Sequence, residues 1–364
     1  MTVSTLRVGI IGVGSETSWG REAHVPSVHA VEGLALAAVA TRDQRSADNA
    51  AASLGAERGY GDARDLFADP DVDIVSIATP VPSHRDLIVA AVRAGKHVIT
   101  EWPAGIDTAQ TEEIAGIAAG AGVRTAVDLQ ARLNPAAVRA GQLLDAGELG
   151  RILSATVFSS TAAFGSTVPE VARSLEDPAV GMNLTTIQTA HTVDFVLRLT
   201  GPLSSLAALT TIQFPDVTIG GDPAAQRRRV PDHVLVQGRL AGGGALSAQI
   251  VGGRAPGDTP FRADIVGEKR TLTVTGGADR GFQAGLLDLA LDGAAVVLDD
   301  PPAGLSDSVV NVSRVYAALR DDVLGGSRTA PDFSDAVRLS HLIDDLLVAA
   351  GRQRTVTPTA PWPG

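Results

Sequence analysis

Near its start the chain runs an apolar strand straight into a glycine-rich turn, and this junction constrains the fold more than any other feature. Leu6-Arg7-Val8-Gly9-Ile10-Ile11 has the short apolar run of a strand buried on both faces. Gly12 and Gly14 follow where a Cβ would bar a close approach to the backbone. A helix start is expected near Trp19-Gly20-Arg21-Glu22-Ala23-His24, with its free N–H groups and positive dipole end turned toward an anion such as a pyrophosphate. The third glycine of a G-x-G-x-x-G spacing is displaced, because Ser15-Glu16-Thr17-Ser18-Trp19 separates Gly14 from Gly20. A structural turn would use glycine in the same way. The position directly after the first strand favours dinucleotide binding.

Strand and helix signals then alternate. Leu34–Ala40, Glu57–Tyr60, Val72–Ala78, His97–Thr100 and Val123–Asp128 read as strands, and Ser46–Leu54, Asp62–Ala68, His84–Ala94 and Thr108–Ala121 as helices. This is the pattern of a parallel, doubly wound α/β sheet, which gathers ligands at the carboxyl ends of its strands. After about Gly150 the pattern changes. Ile152–Ser159, Ala207–Phe214, His233–Leu240, Ala245–Val251, Phe261–Val266 and Thr271–Thr275 read as successive strands, interrupted by a helix over Met182–Leu199. Helices near Val309–Leu324 and Phe333–Gly351 close the chain, and Pro358–Gly364 reads as an extended tail. The expected fold is a Rossmann domain over 1–130 and an α+β domain with a large, mostly antiparallel open sheet over 131–364, whose C-terminal helix is free to pack back on the first domain.

Composition narrows the function classes. The net charge of −11 argues against nucleic acid as a partner. The absence of cysteine excludes disulfides, zinc–thiolate sites and thiol nucleophiles. No apolar run approaches the ~18 residues of a membrane span, and no signal segment precedes the first strand, so a cytoplasmic protein is expected. No metal site is expected either, since His24 and His29 stand alone in the sequence and no H-E-x-x-H occurs. An open antiparallel sheet leads by analogy to a homodimer or homotetramer.

Several motifs together resemble one family. They are Gly9-Ile-Ile-Gly-Val-Gly14, Ala23-His24-Val25-Pro26, Ala78-Thr79-Pro80 with His84, Gly95-Lys96-His97-Val98, Glu101-Trp102-Pro103, and Gly181 through His191 to Asp194. Over essentially the whole length the chain is similar to the glucose–fructose oxidoreductase / inositol dehydrogenase / rhizopine-catabolism (Gfo/Idh/MocA) superfamily. The resemblance implies NAD- or NADP-dependent oxidation or reduction of a hydroxyl on a sugar, cyclitol or related polyol. Two positions depart from the family pattern. Trp102 stands where the family has a lysine that assists proton transfer, and Ile187 stands where a carboxylate usually precedes the histidine by one helical turn. The long first loop and the Glu-Trp-Pro resemble a branch related to the fungal galactose-regulon repressor, which implies a dinucleotide-binding regulator as the alternative to an enzyme. A third alternative is a lyase or glycosidase that uses NAD internally.

Within this frame His191 is the candidate acid/base, since a histidine suits proton exchange near neutral pH. Gln188 and Asp194 share its helix face, Gln188 as a candidate for a substrate hydroxyl and Asp194 to orient the imidazole or to pack. Gln130, Arg132 and Asn183 complete the candidate substrate set. Arg132 suits a substrate carboxylate or phosphate equally with an inter-domain salt bridge. The candidate cofactor set is Gly12, Gly14, Ser15, Trp19, Thr41, Arg42, Thr79, Pro80, His84, Glu101 and Trp102. Thr41-Arg42 at the end of the second strand suits a 2′-phosphate, so the cofactor expectation leans from NAD toward NADP, with Asp43 pulling the other way.

Overall fold

The computed structural model describes Thr5–Ala360 and Trp362. Of the tail expected over Pro358–Gly364, residues Pro361, Pro363 and Gly364 lie outside the described residues. The chain divides into two units, 1–130 with 302–337, and 131–301 with 338–364.

The first unit holds six parallel strands: β1 (Leu6–Ile11), β2 (Leu34–Ala40), β3 (Arg58–Tyr60), β4 (Ile74–Ile77), β5 (His97–Glu101) and β6 (Thr125–Asp128). Their order is β3-β2-β1-β4-β5-β6, the arrangement of a doubly wound dinucleotide fold. The crossovers are helices α1 (Val25–Ala30), α2 (Gln44–Leu54), α3 (Ala63–Ala68), α4 (His84–Arg93) and α5 (Thr108–Ala121). Local chemistry sets their starts. Asp43, Asp62 and Asp107 each accept a backbone N–H of the following first turn through the side chain. The strands read as apolar runs because helices cover both faces, and Ile11, Val75, Ile77, Ile88, Val92, Val98 and Ile114 share one core cluster.

The second unit opens with α6 (Pro135–Asp145), a helix beyond those expected from the sequence. Asn134 caps it and Pro135 occupies its first turn, where the missing N–H costs nothing. Its strands are β7 (Ile152–Ser160), β8 (Thr167–Val168), β9 (Leu203–Thr211), β10 (Asp216–Ile219), β11 (Gln226–Arg227), β12 (His233–Leu240), β13 (Ala245–Val251), β14 (Pro260–Gly267), β15 (Thr271–Gly277), β16 (Leu287–Leu291) and β17 (Ala294–Ala295). Eight of them form one sheet in the order β17-β16-β15-β14-β7-β13-β12-β9, antiparallel except for the β7–β13 pair. The strand expected over Ala207–Phe214 begins earlier, at Leu203, because its partner β12 runs on to Leu240.

Burial alternates along β12, β13 and β14, so one sheet face is packed and the other open. α7 (Ala190–Thr200) covers the packed face and is buried along most of its length. Phe195 on α7 meets Phe261 and Phe282 edge-on at 5.5 and 5.4 Å, and those two rings stack at 4.0 Å. On the open face Leu209 and Leu235 are directly paired and both exposed. The helix expected over Met182–Leu199 instead opens with a π-helical turn at Thr185–Thr189 before α7. The last two helices are α8 (Asp307–Gly325) and α9 (Phe333–Arg352). No helix among the described residues is long and apolar enough to cross a membrane.

Candidate functional site

The loop after β1 is shaped by two close approaches. Gly12 has φ +109°, and a Cβ there would stand 2.3 Å from the carbonyl oxygen of Ala78. Only glycine lets β1 end this close to the end of β4. A Cβ on Gly20 would stand 2.7 Å from the carbonyl oxygen of Gly12, so the displaced third glycine lets the next helical turn pack onto the loop. That turn, Gly20–His24, is π-helical and leads into α1. Arg21 Nε donates to the Val13 carbonyl at 2.7 Å and closes the loop from the other side.

Gly14, by contrast, has nothing within 4 Å of its Cβ position, which leaves its backbone bare. Ser15 is exposed beside it, and the Ser18 hydroxyl is buried with no hydrogen-bond partner among the described residues. A bare backbone, a helical N-terminus and an unsatisfied hydroxyl fit the phosphates of a dinucleotide.

The other cofactor candidates divide by exposure. Thr41 donates its hydroxyl to the Asp43 carbonyl, and the Asp43 carboxylate caps α2 at the Ser46 N–H (2.9 Å). Asp43 is therefore occupied by the helix end, while Arg42 is exposed and forms no ion pair among the described residues. Thr79 and Pro80 lie in the loop after β4, with the Thr79 hydroxyl 2.7 Å from that of Ser83. His84, expected to meet the cofactor, is fully buried. Its ring nitrogens face the carbonyls of Thr79 (2.7 Å) and Pro103 (3.0 Å), so it ties two loops together and presents no atom to a ligand. Burial holds its pKa below the ordinary value. Trp102 is also buried.

Glu101, at the end of β5, belongs to a polar cluster that sequence spacing did not reveal. His24 Nε2 lies 2.5 Å from Glu101 Oε1, and His24 Nδ1 lies 2.8 Å from the Tyr316 hydroxyl. Asp128, at the end of β6, is the register partner of Glu101. One ligand-type atom from each of His24, Glu101 and Asp128 falls within 4.8 Å of the others. The expectation that His24 stands alone is thus corrected: strand order brings together residues far apart in the chain. Gln130, which ends the first segment of this unit, is buried with its side-chain oxygen unpartnered among the described residues.

In the second unit His191 is buried near the start of α7, with Nδ1 unpartnered. Burial lowers its pKa to about 3, so the imidazole is neutral. Asp194 does not orient it. Arg132 takes both Asp194 oxygens, through Nε at 2.8 Å and Nη2 at 2.5 Å. That bidentate pair is the salt bridge weighed for Arg132, although it lies within one unit rather than between domains, and it occupies the fork a substrate anion would use. Gln188 is held as well. Its Nε2 donates to Ser159 Oγ at 3.0 Å, and a Cβ on Gly281 would stand 2.1 Å from its Oε1. Asn183 accepts the N–H groups of Thr185 and Thr186 and so caps the π-helical turn. Both residues position the turn before α7 rather than offering free groups to a hydroxyl. The groups left open are the buried, unpartnered hydroxyls of Thr185 and Thr189 on that turn. π-Helical turns inside helices are often found at functional sites.

Residues 6–129 match the oxidoreductase family with an NAD-binding Rossmann fold, and residues 135–276 match the Gal80p C-terminal domain. Dehydrogenase aclE of Aspergillus oryzae is 30% identical over 74% of this chain and 77% of its own length. The chain belongs to the Gfo/Idh/MocA oxidoreductase family. Within that family its second unit is Gal80-like. The galactose/lactose metabolism regulatory protein GAL80 of Saccharomyces cerevisiae is 26% identical over 76% of this chain and 68% of its own. Levoglucosan dehydrogenase of Pseudarthrobacter phenanthrenivorans is 25% identical over 87% of each. Solved structures agree in fold. A super-repressor mutant of Saccharomyces cerevisiae Gal80p aligns with TM-score 0.87 at 22% identity, covering 97% of this chain and 98% of that one. Levoglucosan dehydrogenase in complex with NADH and L-sorbose aligns with TM-score 0.83 at 21% identity, covering 97% and 99%.

Proposed function

We propose that the chain is an NAD(P)-dependent oxidoreductase that transfers a hydride between a nicotinamide and the hydroxyl or keto carbon of a sugar, cyclitol or related polyol. The observation that carries the reading is the glycine loop after β1, tightly packed at Gly12 and open at Gly14, at the carboxyl edge of a sheet ordered β3-β2-β1-β4-β5-β6. The loop backbone and the Ser18 hydroxyl hold the dinucleotide phosphates, and Arg42 lies at the ribose end. When bound, the dinucleotide supplies the hydride acceptor or donor. His191, kept neutral by burial, offers a lone pair to the hydroxyl proton. The Thr185 and Thr189 hydroxyls supply further polar contacts on the same segment.

A second reading is a dinucleotide-binding regulator without turnover. It is favoured by Trp102 and Ile187, which cannot move protons, and by the similarity to GAL80. The test offers NAD⁺ or NADP⁺ with a panel of sugars, cyclitols and sugar acids and follows reduced-nicotinamide fluorescence. A signal confined to one substrate class supports the enzyme. Demonstrated cofactor binding with no signal across the panel favours the regulator.

Cofactor choice has its own test. Asp43 is taken by the helix cap, so Arg42 sets the preference, which we propose to be NADP. Arg42→Ala is expected to weaken NADPH by about tenfold, the scale of one charge-assisted phosphate contact, and NADH by less than about twofold. Equal losses in a binding titration would remove the NADP preference. We also propose a homodimer or homotetramer formed through the open face that carries Leu209 and Leu235, to be checked by mass in solution.

A further inference from the structure

Glu101 and Asp128 end neighbouring parallel strands in register, so their carboxyls share one face at the carboxyl edge of the sheet. A chain of polar contacts runs from α8 to this pair. The Tyr316 hydroxyl donates to Ser76 Oγ at 2.8 Å, and Ser76 Oγ lies 3.1 Å from His24 Nδ1. His24 Nε2 in turn lies 2.5 Å from Glu101 Oε1. Glu101 keeps access to solvent and is the member of the pair that ionises first.

Asp128 is only 1% exposed and faces Glu101 and the Trp19 indole. A bare carboxylate there would carry the full cost of a buried charge, so Asp128 keeps its proton and turns it toward Glu101. The pair holds one proton and one negative charge. The titratable groups packed on it are His24 from the turn before α1 and Tyr316 from α8, with the Trp19 indole as a neutral donor. Burial raises the Glu101 pKa to about 7, against the hydrogen bonds of Asp128 and Trp19. Burial, and then the charge of Glu101, raises Asp128 well above the usual range. Burial lowers His24 to about 4, which keeps it neutral wherever the pair titrates.

Glu101 is the member of the cluster with access to solvent, its side chain being 23% exposed. It lies at the strand ends where such a sheet binds its ligand. We propose that the Glu101–Asp128 pair selects the redox state of the bound dinucleotide, favouring the oxidised, positively charged nicotinamide and releasing the shared proton as it binds. Burial and mutual repulsion suppress the second negative charge of the pair, and a cation alongside removes that suppression. The reduced ring is neutral and gives no such compensation. The inference rests on dinucleotide binding by the first unit and not on turnover, so it holds for an enzyme and for a regulator.

The experiment is calorimetric titration of the full chain with NAD⁺, NADH, NADP⁺ and NADPH across about pH 6–8, in buffers of different ionisation heat. A one-proton linkage changes an affinity by at most ~10-fold per pH unit. The oxidised forms are expected to approach that slope and to release a substantial fraction of a proton, while the reduced forms stay flat. Glu101→Gln and Asp128→Asn keep the shapes and are each expected to abolish the slope and the proton release. Oxidised-form binding that is independent of pH in the unaltered protein overturns the proposal without any variant, and so does an unchanged slope in Asp128→Asn. Failure of all four nucleotides to bind overturns the dinucleotide reading itself.

Discussion

Replacing His191 with alanine is expected to lower kcat/KM for the substrate found in the panel by about 10²–10⁴-fold, the usual contribution of a positioned general acid or base. Dinucleotide affinity is expected to change little, because His191 belongs to the second unit and the loop after β1 to the first. His191 is buried with a ring nitrogen that no group among the described residues satisfies. A structural histidine is held by its neighbours, as His84 is between the carbonyls of Thr79 and Pro103. An acid-stability measurement separates the roles further. The folded-state pKa of His191 is depressed from 6.5 to about 3, so its contribution to stability is complete above the unfolded value and is lost as pH falls through that window. His191→Gln is expected to flatten that limb by at most ~1.4 kcal/mol per pH unit. If kcat/KM is unchanged in His191→Ala while the acid limb flattens, the residue is a core histidine and the proton acceptor lies elsewhere.

The difference between the two histidines also shows what the sequence carried. The first unit was legible because its signals are local: apolar runs, aspartates before helices, and glycines after β1. The open sheet was legible from alternation, although the start of β9 was not, since its partner strand decides it, and α6 was missed despite the local helix-start signal of Asn134-Pro135. Site assignments failed where spacing along a helix was read as contact. Asp194 sits one turn from His191, yet its charge is claimed by Arg132, which precedes it by 62 residues. Gln188 likewise faces Ser159 rather than solvent. The Glu101–Asp128 pair was invisible for the opposite reason, because only the register of β5 on β6 places those carboxyls together.

The Arg132–Asp194 pair carries the largest expected effect on stability. Asp194→Ala leaves a guanidinium whose side chain is only 11% exposed without its bidentate partner. Removing one member of a buried ion pair costs about 3–5 kcal/mol, mostly because the other charge stays desolvated and uncompensated. Denaturant unfolding is expected to show a loss of that size. Arg132→Met combined with Asp194→Leu is expected to recover most of it, since two apolar groups of similar volume leave no charge behind. The cycle also decides what Arg132 is for. If Asp194→Ala costs under about 1 kcal/mol, the pair behaves like a solvated surface bridge. The guanidinium would then be free to exchange Asp194 for a carboxylate or phosphate on the substrate. A full cost together with recovery in the double variant fixes Arg132 as a strut that holds the start of the second unit to α7, and with it the angle at which His191 is presented.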